Sequence, residues 1–146
     1  MNQSLTTTDE KIEVQLSYCL YRSTATPGID EDELDQILEK SRVRNQMRGL
    51  SGCLHYENGV FFQWLEGSPS TLYPLLGKLQ NDGRHINFTV LDQGPLKHRL
   101  FQKWQMRFSD RKIASLFDWL SNQNKKEFSA NNYAEEIRNF LAYLDP

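Results

Sequence analysis

Two amide side chains fall where the sequence pattern predicts an apolar core, and they are the first candidates for chemistry. Successive side chains of a helix are rotated by about 100° around its axis. This rotation places Asn45 near the middle of the apolar stripe of the first predicted helix and Arg44 at the edge of that stripe. Gln63 stands on a predicted central strand between two apolar neighbours of the same face. A buried amide without hydrogen-bond partners costs about 1–3 kcal/mol, so each must have a partner. For Asn45, backbone groups beyond the helix end could serve as well as a ligand.

Further polar groups belong to the same layer. Tyr21 lies on the first predicted strand, where a tyrosine with its hydroxyl at the rim is also ordinary in a core. Lys78 and Asp82 share one side of the second predicted helix, and Arg84 and His85 follow at once. These four charged or titratable groups are also typical of a solvated helix end. Two amides and a tyrosine among aliphatic residues suit a planar, hydrogen-bonding, partly apolar ligand.

Hydrolytic and metal chemistry are not expected. No nucleophile can be placed beside a base, no pair of histidines has the spacing of metal ligands, and no glycine-rich phosphate loop is present. A ferredoxin-like acylphosphatase would need an arginine and an asparagine around such a loop. The residues alone therefore indicate a ligand-binding module rather than an enzyme, and a plain interaction module whose aromatic layer is only core stays open.

The elements that must position these residues follow from the apolar spacing and the turn signals. Strands are predicted at residues 14–22, 50–57, 60–66, 88–92 and 104–108, and helices at 31–47 and from 69 to about 82. Asn58-Gly59 predicts a hairpin, and Gly94-Pro95 predicts a turn before the fifth strand, on which Trp104 and Met106 share a face. The order β-α-β-β-α-β-β favours a ferredoxin-like α+β fold, a mixed five-stranded sheet with both helices on one face.

The second face of this sheet also needs cover, because both faces of strand 60–66 are apolar. Two amphipathic helices in the tail, at residues 113–120 and 133–144, are expected to cap that face, although they could also dock on a partner. The chain then divides into a polar extension at residues 1–13, a ligand-binding domain at 14–110 and a helical cap at 111–146.

Length and charge limit the classes of function. The 146 residues suit one domain, and a net charge of −2 gives no basic field for nucleic acid. No apolar run is long enough for a membrane span or a signal peptide. Cys19 and Cys53 lie in strand-like runs outside any disulfide or metal pattern. A cytoplasmic protein with reduced, buried thiols is expected.

Several short motifs, specific as an ordered set, resemble the BLUF family of blue-light sensors that use flavin. The resemblance covers residues 16 to about 109, and Ser51 stands where a threonine is more usual. The motifs are Leu20-Tyr21-Arg22-Ser23, Ser41-Arg42-Val43-Arg44-Asn45, Gly49-Leu50-Ser51-Gly52, Phe61-Phe62-Gln63-Trp64-Leu65-Glu66-Gly67, Asp82-Gly83-Arg84-His85, and Arg99-Leu100-Phe101 followed by Trp104-Gln105-Met106.

The resemblance implies a flavin between the two helices, FAD or alternatively FMN. Tyr21 would be the photoactive tyrosine, Gln63 would bridge it to flavin N5 and O4, and Asn45 would bind the pyrimidine edge of the ring. The other implied cofactor-binding residues are Ile37 and Leu79 on the two sides of the ring, Arg44 near O2, Ser41, and Lys78, Asp82, Arg84 and His85 toward the ribityl chain and phosphate.

The resemblance also implies a mechanism. Light would drive electron and proton transfer from Tyr21, after which Gln63 is rotated or tautomerised and its hydrogen bond at flavin O4 has changed. A stronger hydrogen bond at O4 would shift the flavin absorption of the lit state to the red. The lit state would relax thermally in the dark. Trp104 and Met106 would pass the change onward, to a separate signalling protein or through self-association.

Overall fold

The computed structural model describes residues 15–81, 83, 85–122 and 130–144. The strands are β1 (Leu16–Ala25), β2 (Ser51–Glu57), β3 (Val60–Gly67), β4 (His85–Leu96) and β5 (Arg107–Asp110). The helices are α1 (Glu31–Arg48), α2 (Pro69–Gln80), α3 (Leu116–Asn122) and α4 (Ala130–Tyr143). Within these ranges, no helix has the length and apolar character needed to cross a membrane.

One sheet of five strands, in the order β4-β1-β3-β2-β5, forms the centre of the fold. The first three neighbouring pairs are antiparallel, and β5 runs parallel to β2. The β2–β3 hairpin turns at Asn58 and Gly59, whose φ angles of 51° and 78° are those of a type I′ turn. The predicted ferredoxin-like mixed sheet is confirmed.

The fourth and fifth strands differ from the sequence prediction in ways that bear on the site. Gly94 and Pro95 do not form a turn but continue β4, opposite Tyr18 and Ser17 of β1. Proline is tolerated there because β4 is an edge strand. An edge strand has a neighbour on one side only, so a residue without an N–H donor can be accommodated. The fifth strand begins at Arg107, so Trp104 and Met106 precede it and lie in the connection between β4 and β5.

The two large helices are fixed by their ends and by one apolar face. The side chain of Asp30 caps α1 by accepting from the Glu33 amide at 2.8 Å, and Gly49 ends it in the left-handed conformation. Pro69 opens α2 at a position where its missing N–H costs nothing. The buried faces consist of Ile37, Leu38, Ser41 and Asn45 on α1 and Leu72, Leu75, Leu76 and Leu79 on α2.

Each face of the sheet carries its own apolar core. The face under α1 and α2 contains Tyr21, Phe61 and Leu65. The opposite face contains Phe62 and Trp64. The tail covers it with Leu116 of α3, with Ala134, Ile137, Phe140 and Leu141 of α4, and with Leu144 directly after α4. The predicted capping of the second face by the tail helices is therefore confirmed.

A buried network attaches α3 to the sheet. Glu57, at the end of β2, accepts hydrogen bonds from Ser115 Oγ at 2.7 Å and from the backbone amides of Leu116 and Phe117 at 2.7 and 3.4 Å. Its carboxylate also contacts His55 Nε2 at 2.9 Å, and His55 Nδ1 lies 2.6 Å from the hydroxyl of Ser109 on β5. Because a carboxylate only accepts, Nε2 carries the imidazole proton and Nδ1 accepts from the hydroxyl.

The two titratable groups of this network are both shifted. Burial lowers the pKa of His55, against the opposing effects of Glu57 and Asp110. Burial alone would raise the pKa of Glu57, but the hydrogen bonds from His55, Ser115 and the α3 amides outweigh it and leave that pKa below its usual value. At neutral pH the network therefore holds a neutral imidazole and an ionised carboxylate.

We expect this network to make folding sensitive to acid. The unfolded chain binds a proton at His55 below pH ~6.5, and burial makes the folded chain resist that proton. The free energy of unfolding therefore falls as the pH drops through this value, by at most about 1.4 kcal/mol per pH unit. Glu57, whose folded pKa is lowered, adds a further loss of stability as the pH falls below the ordinary pKa of a glutamate, about 4.3. Urea midpoints between pH 8 and 5 measure the slope, and His55→Gln should flatten it.

His98 provides the matched control, because it is the exposed histidine of the β4–β5 connection. His98→Gln should leave the pH slope of the wild type in place. An equal slope in the wild type and in His55→Gln would contradict the assignment to His55.

Candidate functional site

Tyr21 and Gln63 lie directly opposite each other in the β1–β3 ladder. Opposite residues of antiparallel strands share a face, with Cβ atoms about 4.5–5.5 Å apart. Both belong to the face that α1 and α2 cover, both side chains are buried, and the Tyr21 hydroxyl oxygen is shielded from solvent. The ladder thus brings the phenol and the amide that sequence analysis singled out into one layer.

Met106, rather than Trp104, lies beside Gln63. The Gln63 amide nitrogen donates to the Met106 sulfur at 3.5 Å, and Met106 is only 1% exposed. Trp104 is 37% exposed, with the Arg107 guanidinium carbon 5.8 Å from its ring centroid. The prediction that Trp104 and Met106 share one face of the fifth strand is wrong, because side chains and single amides, rather than a ladder, hold residues 104–106.

Asn45 uses its amide to hold that connection. Its Nδ2 donates to the backbone carbonyl of Gln105 at 2.5 Å, and its Oδ1 accepts from the guanidinium of Arg44 at 3.2 and 3.3 Å. An amide NH₂ group has two N–H donors, so a second one remains for a ligand. The Asn45 amide thus has the backbone partner that the sequence offered as an alternative to a ligand, and this partner lies 60 residues further along the chain rather than directly after α1.

Apolar side chains surround this polar group. Ile37 on α1 and Leu79 on α2 are buried in the same core as Tyr21, and the ring of Phe88 stacks on that of Tyr21 with centroids 4.4 Å apart.

Burial raises the pKa of the Cys19 thiol, in this core, to about 12. Cys19 is therefore protonated at neutral pH and cannot serve as a nucleophile.

The remaining predicted ligand residues are distributed as follows. Ser41 is buried on the inner face of α1, Arg44 is partly buried at its edge, and Lys78 is exposed on α2. Asp82, Arg84 and the side chain of His85 lie outside the described residues, so their predicted phosphate contacts stay predictions.

Sequence reasoning missed the residues that hold the connection in place. Arg42 Nε donates to the Met106 carbonyl at 3.1 Å, and the Gly52 amide donates to the Trp104 carbonyl at 3.1 Å. Arg42 and Gly52 belong to motifs that were recognised as patterns without an assigned task. Their neighbours in space come from far along the chain, so no local signal could have revealed these bonds.

The side chains of this site can donate and accept hydrogen bonds to a ligand. In the part of the chain that the structure describes, no group of three or more His, Cys, Asp or Glu side chains could hold a metal ion. The polar groups of the site are amides, a phenol and a guanidinium inside apolar walls. The fold and this site define a small α+β domain whose buried polar groups suit a planar, hydrogen-bonding ligand.

Residues 16–107 match the family described as "BLUF: Sensors of blue-light using FAD". The match spans well over half of the chain, and the protein belongs to the BLUF family of flavin-binding blue-light sensors. The resemblance seen in the sequence is thereby confirmed.

Relatives and solved structures agree with this assignment. The alpha subunit of the photoactivated adenylate cyclase of Euglena gracilis is 33% identical over 99 residues, which are 66% of this chain and 10% of the relative. This chain thus spans about a tenth of the length of that curated relative.

Two solved structures show the similarity in three dimensions. The dark-state structure of the BLUF protein BlrB has a TM-score of 0.74 and 29% identity, covering 88% of this chain and 96% of BlrB. The structure of Klebsiella pneumoniae BlrP1 with FMN and cyclic diGMP has a TM-score of 0.67 and 26% identity, covering 87% of this chain and 34% of BlrP1.

Proposed function

We propose that this BLUF chain binds FAD between α1 and α2 and converts absorbed blue light into a changed hydrogen bond at Gln63. The observation that supports this most directly is the register of β1 and β3, which sets Tyr21 opposite Gln63 on the face under both helices. The residues fit the cofactor. The described bond of the Gln63 amide nitrogen is to a thioether sulfur, a weak acceptor, so a ligand oxygen or ring nitrogen would be a better partner.

Asn45, Arg44, Ile37 and Leu79 would hold the ring. Asn45 retains an N–H for the pyrimidine edge, and Arg44, bonded to Asn45 Oδ1, places a positive charge on the same side. Ile37 and Leu79 offer apolar surfaces from α1 and α2. When bound, the flavin supplies blue-light absorption and a place to which an electron can move.

Tyr21 is the proposed electron and proton donor. Its phenol would lose one electron and the hydroxyl proton to the bound flavin and would then regain both, so the Tyr21 side chain is unchanged at the end of the cycle. Gln63 lies next to the phenol and is proposed to turn or tautomerise while the proton is away. The lit state then differs from the dark state in the hydrogen bonds of the Gln63 side chain, which exchanges partners, and, where the amide tautomerises, in the position of one amide proton.

The output of the sensor is proposed to pass through the tail helices to a separate protein. Met106, beside Gln63, immediately precedes β5, and Ser109 of β5 is bonded through His55 to Glu57, which holds the start of α3. The cyclase relatives suggest effector enzymes as the type of partner, while this chain is proposed to have no catalytic activity of its own. Self-association through the same helices is the other proposed route.

The cofactor is proposed to be FAD, in agreement with the family description, with FMN bound as an alternative, as in the BlrP1 structure. A cytoplasmic location is proposed because both cysteines are buried free thiols, which suits a reducing compartment.

Absorbance spectra of the protein purified in the dark test this proposal. We expect a flavin spectrum, a reversible shift to the red after blue light, and release of mainly FAD on denaturation. Hydrogen exchange in the same samples should differ between dark and light in α3 and α4. A colourless protein, or bound flavin without a reversible shift, would contradict the sensor function, and unchanged exchange in α3 and α4 would contradict the output route.

A further inference from the structure

The photochemistry proposed above assigns no role to three residues of the family motifs. These residues are Ser51 at the start of β2, Glu66 near the end of β3 and Arg99 in the connection between β4 and β5. The structure brings these three residues together at one end of the sheet. They lie at the start of the β4–β5 connection, whose later residue Met106 contacts Gln63.

Glu66 is the centre of this group and is fully buried. Its Oε1 accepts from the Trp64 indole nitrogen and from the Leu100 amide, both at 2.8 Å. Its Oε2 accepts from Ser51 Oγ at 2.7 Å and from the Phe101 amide at 2.9 Å. Hydrogen bonds to a carboxylate are stronger than those between neutral groups, and two of these four hold backbone. We call the carboxylate with its four donors the Glu66 clamp.

Arg99 extends the clamp to the end of α1. Its Nη2 donates to the Gly49 carbonyl at 2.7 Å, and its Nη1 donates to Ser51 Oγ at 2.8 Å. A hydroxyl has one proton to give and lone pairs to accept with, so Ser51 links Arg99 to Glu66. The serine keeps the hydroxyl that the more usual threonine would supply, and the departure from the family pattern leaves this link intact.

The connection is then held at almost every step from the clamp to Met106. The Trp104 amide donates to the Phe101 carbonyl at 3.0 Å, and the Trp104 carbonyl accepts from Gly52. The carbonyls of Gln105 and Met106 accept from Asn45 and Arg42 of α1. The clamp fixes one end of this short segment and α1 fixes the other, so the position of Met106 against Gln63 depends on both ends.

We propose that Glu66 is a positioning residue for the photochemical site: through the backbone amides of Leu100 and Phe101 it holds the connection so that Met106 stays against Gln63. The inference rests on the function proposed above. To return to the dark state, the Gln63 amide must turn back within the space that Met106 leaves. A released connection gives Met106 more room and lowers the barrier to that turn.

The test compares dark recovery in Glu66→Gln and in the wild type. The substituted amide puts an N–H₂ group against N–H donors, so at least one clamp bond is lost. We expect unchanged flavin content and an unchanged red shift, because Tyr21 and Gln63 remain, but recovery about tenfold faster, or roughly 1.4 kcal/mol of barrier. Glu57→Gln is the matched control, since Glu57 is a similarly buried carboxylate that binds the backbone of α3 and reaches Met106 only indirectly, through His55, Ser109 and β5. It should recover within about twofold of the wild type.

A second pair of variants keeps the test decisive if Glu66→Gln does not fold. Ser51→Ala removes the hydroxyl that links Arg99 to the Glu66 carboxylate, whereas Ser51→Thr retains it. Recovery should be faster in Ser51→Ala and close to the wild type in Ser51→Thr. Equal recovery in Glu66→Gln and Glu57→Gln, or in the two Ser51 variants, would overturn the role of the clamp, whereas a wild type without any red shift would overturn the sensor function itself.

Discussion

Tyr21→Phe should bind flavin as the wild type does and show no red shift after blue light. The phenol is the proposed source of both the electron and the proton, and phenylalanine keeps the ring while it removes the O–H group. The ring still packs on Phe88 in the same buried layer, so the fold should persist. The yield of the shifted state should fall by more than about a hundredfold, because electron and proton transfer from Tyr21 no longer competes with decay of the excited state. Absorbance difference spectra measure it.

Tyr18→Phe is the matched control for this variant. Tyr18 lies on the same strand but on the opposite face, stacked on Trp64 with ring centroids 4.5 Å apart. Its hydroxyl donates to Asp92 at 2.8 Å, and burial, together with that carboxylate, raises the pKa of Tyr18 to about 12. The control should lose about 1 kcal/mol of stability and keep the full shift. A red shift in Tyr21→Phe equal to that of Tyr18→Phe would remove Tyr21 from the mechanism.

Gln63→Leu should likewise bind flavin and remain yellow without a reversible red shift. Leucine has a similar volume, so replacement of a buried amide should change stability by about 1 kcal/mol or less. The side chain would still pack beside Met106, but no amide would remain to exchange partners. Difference spectra should therefore show at least a hundredfold less of the shifted state, and infrared spectra should lose the light-induced change at the flavin carbonyl.

Gln93 offers a control of the same residue type in the same sheet. It is an exposed glutamine of β4, opposite Cys19 of β1, and its replacement by leucine should leave the size and the recovery of the shift unchanged. A Gln63→Leu protein that switched as fully as Gln93→Leu would show that the amide is not required.

The part of the site that sequence analysis predicted depends on local periodicity. Alternation along β3 and the helical stripe of α1 placed Gln63 and Asn45 in the core, because the side chains of neighbouring positions follow directly from strand and helix geometry. The tail helices were predicted for the same reason, from the spacing of Ile137, Phe140 and Leu144. All three of these apolar residues lie in the second core.

The arrangement around Met106 depends on contacts that periodicity does not encode. Trp104 and Met106 are two residues apart, and a strand pattern gives them one face. The observed conformation of this segment depends on hydrogen bonds from Asn45 to the Gln105 carbonyl and from Arg42 to the Met106 carbonyl. These donors are 60 and 64 residues away from their acceptors in the sequence. Gly94 and Pro95 were assigned to a turn for a related reason, since pairing with β1 overrides the local preference of these residues. Buried carboxylates such as Glu57 and Glu66 look like ordinary surface residues until the amides that they bind are located.

The placement of the second core bears on where the sensor can be cut and joined to other proteins. The family match ends at residue 107, yet the side chains that shield Phe62 and Trp64 from water come from α3 and α4, beyond that point. A fusion boundary drawn at the last matched residue would leave a broad aromatic surface in water, which favours aggregation. The smallest unit suited to transplantation therefore includes both tail helices, and an effector is best joined after them.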